Sequence, residues 1–241
     1  MRSAAQSILT ESFGPWGKLI FPYVKMGKID SLDLFGVTEL IIFALYLKKK
    51  HHYSRVLDIG ANLGLHSIIM SRLGWEVQAF EPDPQHYIEL TSNLQRNQAE
   101  VQRHNKAVST QDGLAQFVRV LDNLTGNHLV GCKDSYGPRE TITVQTVDCR
   151  PLFDWADFAK IDSEGNEADL LLTTTPDQMR HLEAIVEVRN EQNAQAIFEH
   201  FIALDVPMYS QKIGWRRVRN LSQMPHQNRE GSLFIGREAP F

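Results

Sequence analysis

The 241-residue chain has only two cysteines, Cys132 and Cys149, too few for a disulfide scaffold and in keeping with a reducing compartment, so a cytoplasmic location is expected. It also lacks a dominant charge. Its 25 lysines and arginines stand against 29 aspartates and glutamates, and the balance of −4 supplies no global attraction to nucleic acid or anionic lipid. No nucleic-acid partner is expected on that ground. Long apolar runs are missing as well: the strongest, Leu34 to Leu47, is interrupted by Thr38 and Glu39 and falls short of the roughly 20 residues a membrane span needs. No span is expected. The stretch from Met1 to Ser12 shows neither the apolar run nor the cleavage site of an export signal. There are no internal repeats, low-complexity tracts or Pro/Gly/Ser linkers, so one core with an extension fits better than two full domains.

What is present, with 42% hydrophobic residues, is the composition of an ordinary globular protein whose pattern changes near residue 53. Before that point, Gly14, Pro15, Gly17 and Pro22 punctuate the aromatics Phe13, Trp16, Phe21, Tyr23 and Phe35, and an apolar helix is expected over 37–49. The basic run from Lys48 to His52 suits the negative end of that helix's dipole. Residues 1–52 are therefore expected to form a helical cap packed on a core domain of residues 53–241, its aromatics making the contacts.

From residue 53 strands alternate with helices. Arg55 to Ile59 reads as a buried strand, Leu63 to Leu73 as a helix, Glu76 to Phe80 as a strand, Glu81 to Pro84 as a turn and Gln85 to Asn97 as a helix. Val101 to Val108 makes a third strand, and segments 114–121 and 141–147 an antiparallel pair inserted around a polar loop. The rhythm resumes with strand Phe158 to Asp162, a helix from Asn166 to about Leu172, strand Ala184 to Val188, helix Gln192 to Leu204, and closing strands near 206–211 and 232–236. This order predicts an α/β fold with a mostly parallel sheet, helices on both faces and an antiparallel edge.

The informative stretch is Val56-Leu57-Asp58-Ile59-Gly60-Ala61-Asn62-Leu63-Gly64. A glycine loop between strand and helix brings a ligand to the backbone and offers it the helix's free N–H groups. Glu81, 21 residues past Gly60, falls at the end of the next strand, where a carboxylate can hold the hydroxyls of a ribose. The dinucleotide fingerprint fits poorly, because Asn62 replaces its second glycine and Leu65 its third. Asp58 would repel a pyrophosphate, yet it suits the ammonium of an amino acid whose carboxylate faces the loop. S-adenosylmethionine carries both groups. Asn62 is tolerable in such a loop because asparagine visits left-handed conformations more readily than other non-glycine residues. The plain alternative is a tight turn with two glycines and no ligand.

VLDIGANLG, then FEPDP, then Lys160 to Glu167 (KIDSEGNE) together resemble the FkbM family of S-adenosylmethionine-dependent methyltransferases over about residues 54–190. The resemblance implies a class I, Rossmann-like, seven-stranded methyltransferase fold. It implies Asp58, Gly60, Ala61, Asn62 and Gly64 around the methionine moiety, Glu81 with Pro82 at the ribose, the adenine near Asn105 to Ala107, and Asp162 in the cofactor shell. Ser163 and Asn166 depart from the valine and alanine usual in that block. Glu39 matches a glutamate often seen upstream of the family's first strand; an exposed helical glutamate is the other reading.

In the third block, Lys160, Asp162 and Glu164 alternate and share one face while the backbone stays extended, at the carboxyl end of a strand that opens into the ligand crevice. An acceptor hydroxyl must lose a proton, and Asp162 and Glu164 are the first candidates to serve it. Otherwise they pair with Lys160, Arg189 or helix N–H groups, with Glu164 as a helix cap. His66, which also suits capping or packing, and His128, expected to be solvated, are weaker candidates. Asp162, Glu164 and Glu187 are an oxygen-rich set of the kind magnesium takes, but no fixed spacing demands it and no metal is expected. Trp215 to Arg219 reads as a solvated loop between the closing strands rather than an RNA contact. The resemblance implies O-methylation, so the expected acceptor is a hydroxyl of a small molecule, a saccharide or a polyketide-like product; an RNA methyltransferase and a nucleotide-binding oxidoreductase are the alternatives.

Overall fold

The computed structural model describes residues 8–23, 30–31, 33–121, 126–131 and 137–241; Cys132 and part of the expected polar loop lie outside them. Along the chain run strands β1 (Ile8–Ser12) and β2 (Lys18–Pro22), helix α1 (Val37–Lys48), β3 (Arg55–Ile59), α2 (Leu65–Arg72), β4 (Glu76–Phe80), α3 (Pro84–Arg96), β5 (Gln102–His104), β6 (Ala107–Ser109), β7 (Gly113–Val120), β8 (His128–Leu129) and β9 (Arg139–Asp148). They are followed by α4 (Cys149–Trp155), β10 (Phe158–Ile161), α5 (Glu167–Leu171), β11 (Glu183–Val186), α6 (Glu191–Ala203), β12 (Met208–Ser210), β13 (Arg216–Arg217) and β14 (Leu233–Ile235).

The main sheet has eight strands in the order β13-β12-β14-β11-β10-β3-β4-β5. From β11 to β5 all neighbours are parallel; β14 lies antiparallel between β11 and β12, and β13 closes that edge. The seven expected strands are present, and the two-residue β13 makes an eighth. Val56 to Ile59 are all buried, because helices cover both faces of a parallel sheet and each strand must be apolar on both. Leu57 and Ile59 join one apolar cluster with Phe153, Ile161 and Phe201, whereas Val56 points the other way, into a second cluster with Phe21, Phe43, Tyr46 and Ile68. The leading segment thus supplies core aromatics to the second face. It contains a hairpin besides the expected helix: β1 and β2 pair antiparallel from Ile8↔Pro22 to Ser12↔Lys18.

Three further departures have local causes. The single strand expected over 101–108 breaks after His104: the Asn105 amide donates to the carbonyls of Glu81 (2.8 Å) and Pro82 (3.1 Å) and turns the chain out of the main sheet. Beyond the break, β6 enters a second sheet ordered β6-β9-β7-β8, in which β7 and β9 pair antiparallel as expected, from Gly113↔Thr146 to Val120↔Arg139. Helix α4 was not expected, although its signals are in the sequence: Asp148 accepts the Arg150 N–H as N-cap, and Pro151 sits in the first turn. The segment around Trp215 forms the edge strand β13 instead of a loop, with Arg216 and Arg217 exposed.

No helix among the described residues is long and apolar enough to cross a membrane. The chain leaves β3 toward β4 on one side, while β10 flanks β3 on the other. The carboxyl ends of β3 and β10 are therefore the topological switch point, where open α/β sheets form their ligand crevice.

Candidate functional site

After Ile59 the backbone turns through Gly60 (φ 75°), Asn62 (φ 51°) and Gly64 (φ 86°), so asparagine occupies the left-handed region expected of it. Gly60 is required by the fold itself: a Cβ there would lie 1.9 Å from the Asp162 carbonyl oxygen, and one on Gly64 would lie 3.0 Å from Leu90. The glycines thus let β3, β10 and α3 close on one another, a need distinct from the ligand access inferred from sequence. The Gly60 and Ala61 N–H groups both donate to the Phe80 carbonyl at 3.0 Å, fixing the loop to β4. No side chain caps the α2 N-terminus that follows.

Glu81, at the end of β4, is buried and reaches back to this loop. Its Oε2 accepts the Asn62 N–H at 2.8 Å and its Oε1 the Asp83 N–H at 2.9 Å. Burial pushes its carboxyl up to about 8, against the pull of those two hydrogen bonds. Asp58, at the end of β3, is fully buried. One of its oxygens accepts the Ser67 hydroxyl at 2.5 Å; the other has no hydrogen-bond partner and lies 3.8 Å from Lys160 Nζ.

Lys160 Nζ donates to the Gly60 carbonyl at 3.2 Å and lies 3.4 Å from Asp162. Burial alone would lower its pKa, but Asp162, Asp58, Glu39 and Glu187 surround it and hold it above the ordinary lysine value. On the far side of Asp162, Arg189 Nη2 lies 2.8 Å from Asp162, 2.8 Å from Glu164 and 2.9 Å from Glu187. The two carboxylates singled out from sequence are therefore brought together, and their counter-ions are the Lys160 and Arg189 considered there. Burial would raise the Asp162 carboxyl, yet the two cations hold it well below the usual range. The alternation that was to put Glu164 on the Asp162 face ends with β10 at Ile161; Glu164 reaches Arg189 from a left-handed turn at φ 58°.

Glu164 is also not the cap of α5. No side chain caps that helix; Glu167 instead braces the turn before it, its Oε1 accepting the Ser163 N–H at 3.0 Å and the Gly165 N–H at 2.9 Å. Asn166, unusual for its position, donates its amide to the Val108 carbonyl at 3.1 Å and ties the block to β6. Ser163, the other unusual residue, has a buried hydroxyl without a partner, as do the Asn62 side-chain oxygen and Arg189 Nε. Four polar atoms without a hydrogen-bond partner, Asp58 Oδ1 in β3 and the other three in the loops that follow β3, β10 and β11, lie at this one end of the sheet.

His66 neither caps nor merely packs. Its Nε2 pairs with Glu39 at 2.9 Å and its Nδ1 with the Tyr46 hydroxyl at 2.9 Å. Glu39 is accordingly anchored beside the crevice, where it feels the charges of Lys160 and Asp162. His128, expected in solvent, is buried, with Nδ1 against the Gly126 carbonyl at 2.8 Å. Asp83 is a further functional residue, not among those expected from the sequence. This fully buried N-cap of α3 pairs with Arg119 at 2.7 Å and accepts the Asn127 amide at 2.8 Å, joining the second sheet to the turn after β4. Its signal was present, since Asp before Pro84 is a helix-start pattern.

Residues 58–206 match the model of the methyltransferase FkbM domain. No curated protein matches the chain. Among solved structures, the Thermus thermophilus 16S rRNA N2 G1207 methyltransferase aligns with 99% of this chain and 52% of its own, at 13% identity and a TM-score of 0.49. A putative O-methyltransferase from Klebsiella pneumoniae aligns with 85% of this chain and 81% of its own, at 12% identity and a TM-score of 0.47. The precorrin-6y C5,15-methyltransferase of Geobacter metallireducens aligns with 83% of this chain and 87% of its own, at 14% identity and a TM-score of 0.42. The chain belongs to the FkbM methyltransferases, enzymes of the class I fold that take their methyl group from S-adenosylmethionine.

Proposed function

We propose that the enzyme methylates a hydroxyl of a small molecule or saccharide. The observation that carries this reading is the cluster at the switch point, where Asp162, Glu164 and Glu187 meet on Arg189. Carboxylates accept hydrogen bonds from hydroxyls and repel phosphates, so this end of the crevice suits a polyhydroxylated acceptor better than a nucleic-acid backbone.

For the cofactor, the donor set fits in kind. The orphaned Asp58 Oδ1 supplies a buried acceptor for an ammonium, the uncapped α2 N-terminus supplies N–H groups for a carboxylate, and Glu81 with Pro82 beside it supplies an acceptor for ribose hydroxyls. In this reading Gly60, Ala61, Asn62 and Gly64 shape the loop around the methionine moiety, and Asn105 to Ala107, where the chain turns out of the main sheet, border the adenine. The bound cofactor supplies a methyl carried on a positively charged sulfur. Asp162 and Glu164 orient the acceptor, and alignment of the acceptor oxygen accounts for much of the rate. Glu39, held by His66, lies near enough to Lys160 to complete the wall of the pocket.

The test is transfer of labelled methyl from S-adenosylmethionine to a panel of saccharides and hydroxylated metabolites, with bulk RNA in parallel. Label on a hydroxyl compound and none on RNA is expected; label on RNA alone would overturn the acceptor assignment. Calorimetry should show S-adenosylhomocysteine bound and NAD not.

A further inference from the structure

Two stretches singled out by their residue types, the basic run beginning at Lys48 and the segment from Trp215 to Arg219, meet on the surface away from the crevice. Phe241 joins them. Lys48 Nζ lies 5.7 Å from the centre of the Phe241 ring, and that ring lies 5.7 Å from the Trp215 ring at an interplanar angle of 54°. Trp215 leads into β13, the outermost strand of the main sheet, where Arg217 pairs with Tyr209. Tyr209 packs on Phe234 at 6.4 Å, and Lys49 Nζ of the α1 terminus lies 5.6 Å over that same ring. Directly opposed residues of antiparallel strands share a face, so Arg217 is on the side of the sheet that α1 covers.

The resulting patch is apolar and cationic at once. Leu47 is 40% exposed and Phe241 46%, beside the exposed Lys48 and Arg217. Among the described residues neither of these cations has a carboxylate partner, whereas Lys49, turned inward, pairs with Glu183 at 3.3 Å and Lys212 with Glu230 at 3.0 Å. The exposed acid of the segment after β14 is Glu238. A bilayer surface takes both components together, since apolar side chains enter the headgroup boundary while neighbouring cations meet lipid phosphates. A nucleic acid fits less well. Base stacking needs an open aromatic face, but Lys48 lies over the Phe241 ring and Trp215 is partly buried against the apolar cluster beneath α1.

We propose that this patch docks the enzyme on the surface of an anionic phospholipid bilayer, with Leu47 and Phe241 entering the headgroup boundary and Lys48 and Arg217 paired with lipid phosphates. Docking does not depend on the acceptor reading above. Helix α1 runs from Val37 to Lys48, so the patch lies about 14 Å along its axis from Glu39 and the crevice. The overall balance of −4 disfavours an anionic surface, so the attraction has to be local to these residues.

Sedimentation of the full chain with sucrose-loaded vesicles tests this, comparing phosphatidylcholine alone with mixtures containing about a third phosphatidylserine, at low and high salt. The protein should bind the anionic vesicles and not the neutral ones, and salt should weaken the binding. Lys48→Gln combined with Arg217→Gln should lower the partition coefficient by about tenfold or more, and Leu47→Ser combined with Phe241→Ser by about fivefold or more. Both cations are exposed, so the first variant should unfold at the wild-type temperature and keep the wild-type affinity for S-adenosylhomocysteine. Arg103→Gln removes a cation from β5, at the opposite edge of the sheet, and should leave vesicle binding within about twofold of wild type. Equal binding to neutral vesicles, no binding to either kind, or a loss in Arg103→Gln as large as in Arg217→Gln alone would overturn the proposal. Retention of bulk RNA on a filter, abolished by Lys48→Gln with Arg217→Gln while vesicles stay unbound, would assign the patch to RNA and overturn it equally.

Discussion

The Asn62 N–H donates to Oε2 of Glu81 at 2.8 Å, so the glycine loop after β3 and the acid at the end of β4 form one hydrogen-bonded unit. The other Glu81 oxygen takes the Asp83 N–H, and Asp83 in turn holds Arg119 and Asn127 of the second sheet. A continuous polar chain thus runs from the loop at the switch point to the inserted strands. Through it, the loop proposed for the cofactor is linked to the inserted strands.

Removing the carboxylate should therefore have two consequences. Glu81→Ala is expected to weaken S-adenosylhomocysteine binding by about 1.5–3 kcal/mol through lost charge-assisted hydrogen bonds. It should also destabilise the free protein by about 1–3 kcal/mol, because the Asn62 and Asp83 N–H groups lose their acceptors. Calorimetry and chemical denaturation read the two separately. Unchanged affinity would remove Glu81 from the cofactor site.

If the same carboxyl holds the ribose as proposed, cofactor binding is expected to depend on pH. With its value pushed up to about 8, Glu81 is largely protonated in the free protein at neutral pH, whereas ribose hydroxyls bind best to the ionised form. Binding should release a proton below pH 8, so affinity rises with pH and levels off above that value, by up to about tenfold per pH unit if this group alone responds. S-adenosylhomocysteine titrations in two buffers of different ionisation enthalpy check the proton release. Glu81→Gln should abolish the slope.

The features legible in the sequence were those written within one strand-loop-helix unit. The β3 loop, the acid ending β4 and the positive φ of Asn62 each follow from residue type and spacing over a few positions. What escaped depends on contacts distant in sequence. Nothing in the pattern near His66 shows that Tyr46 and Glu39 will take its two ring nitrogens, because α1 and α2 meet only through the fold. Arg189 was visible as a possible partner, but its convergence with three carboxylates depends on β10 and β11 lying side by side. The polar residues around His128 suggest a solvated side chain, but β8 pairs with β7 and buries it.

Glycine at position 60 is needed for reasons separable from any ligand. Gly60→Ala would place a methyl 1.9 Å from the Asp162 carbonyl at φ 75°, a clash with backbone that no side-chain rotation relieves. The expected loss is about 3–5 kcal/mol, combining left-handed strain with overpacking. Gly74→Ala is the control. It has a similar φ of 85° and nothing within 4 Å of the added carbon, so it should cost only the strain, about 1 kcal/mol. Equal losses in thermal or urea unfolding would show that strain alone explains both.

Arg119 is the test of whether the second sheet is tied to the turn after β4 by this one cation. Its Nε meets the buried Asp83 at 2.7 Å, its Nη2 donates to the Gln85 side-chain oxygen at 2.7 Å, and its Nη1 pairs with Glu140 of β9. Asp83 also accepts from the Gln85 and His86 N–H groups and from Asn127, so Arg119→Ala leaves a buried carboxylate still partly solvated by donors. The cost should be about 1–3 kcal/mol rather than the larger penalty of an uncompensated buried charge. Hydrogen exchange should locate it: amides of β7 and β9 should lose protection in Arg119→Ala while those of β3 and β10 keep theirs, because the core strands do not depend on this contact. Arg119→Lys should recover only part of the protection, since one ammonium cannot reproduce a guanidinium that spans Asp83, Gln85 and Glu140. Uniform loss of protection across both sheets would mean that the inserted strands fold as one unit with the core and that Arg119 is not a separate tie.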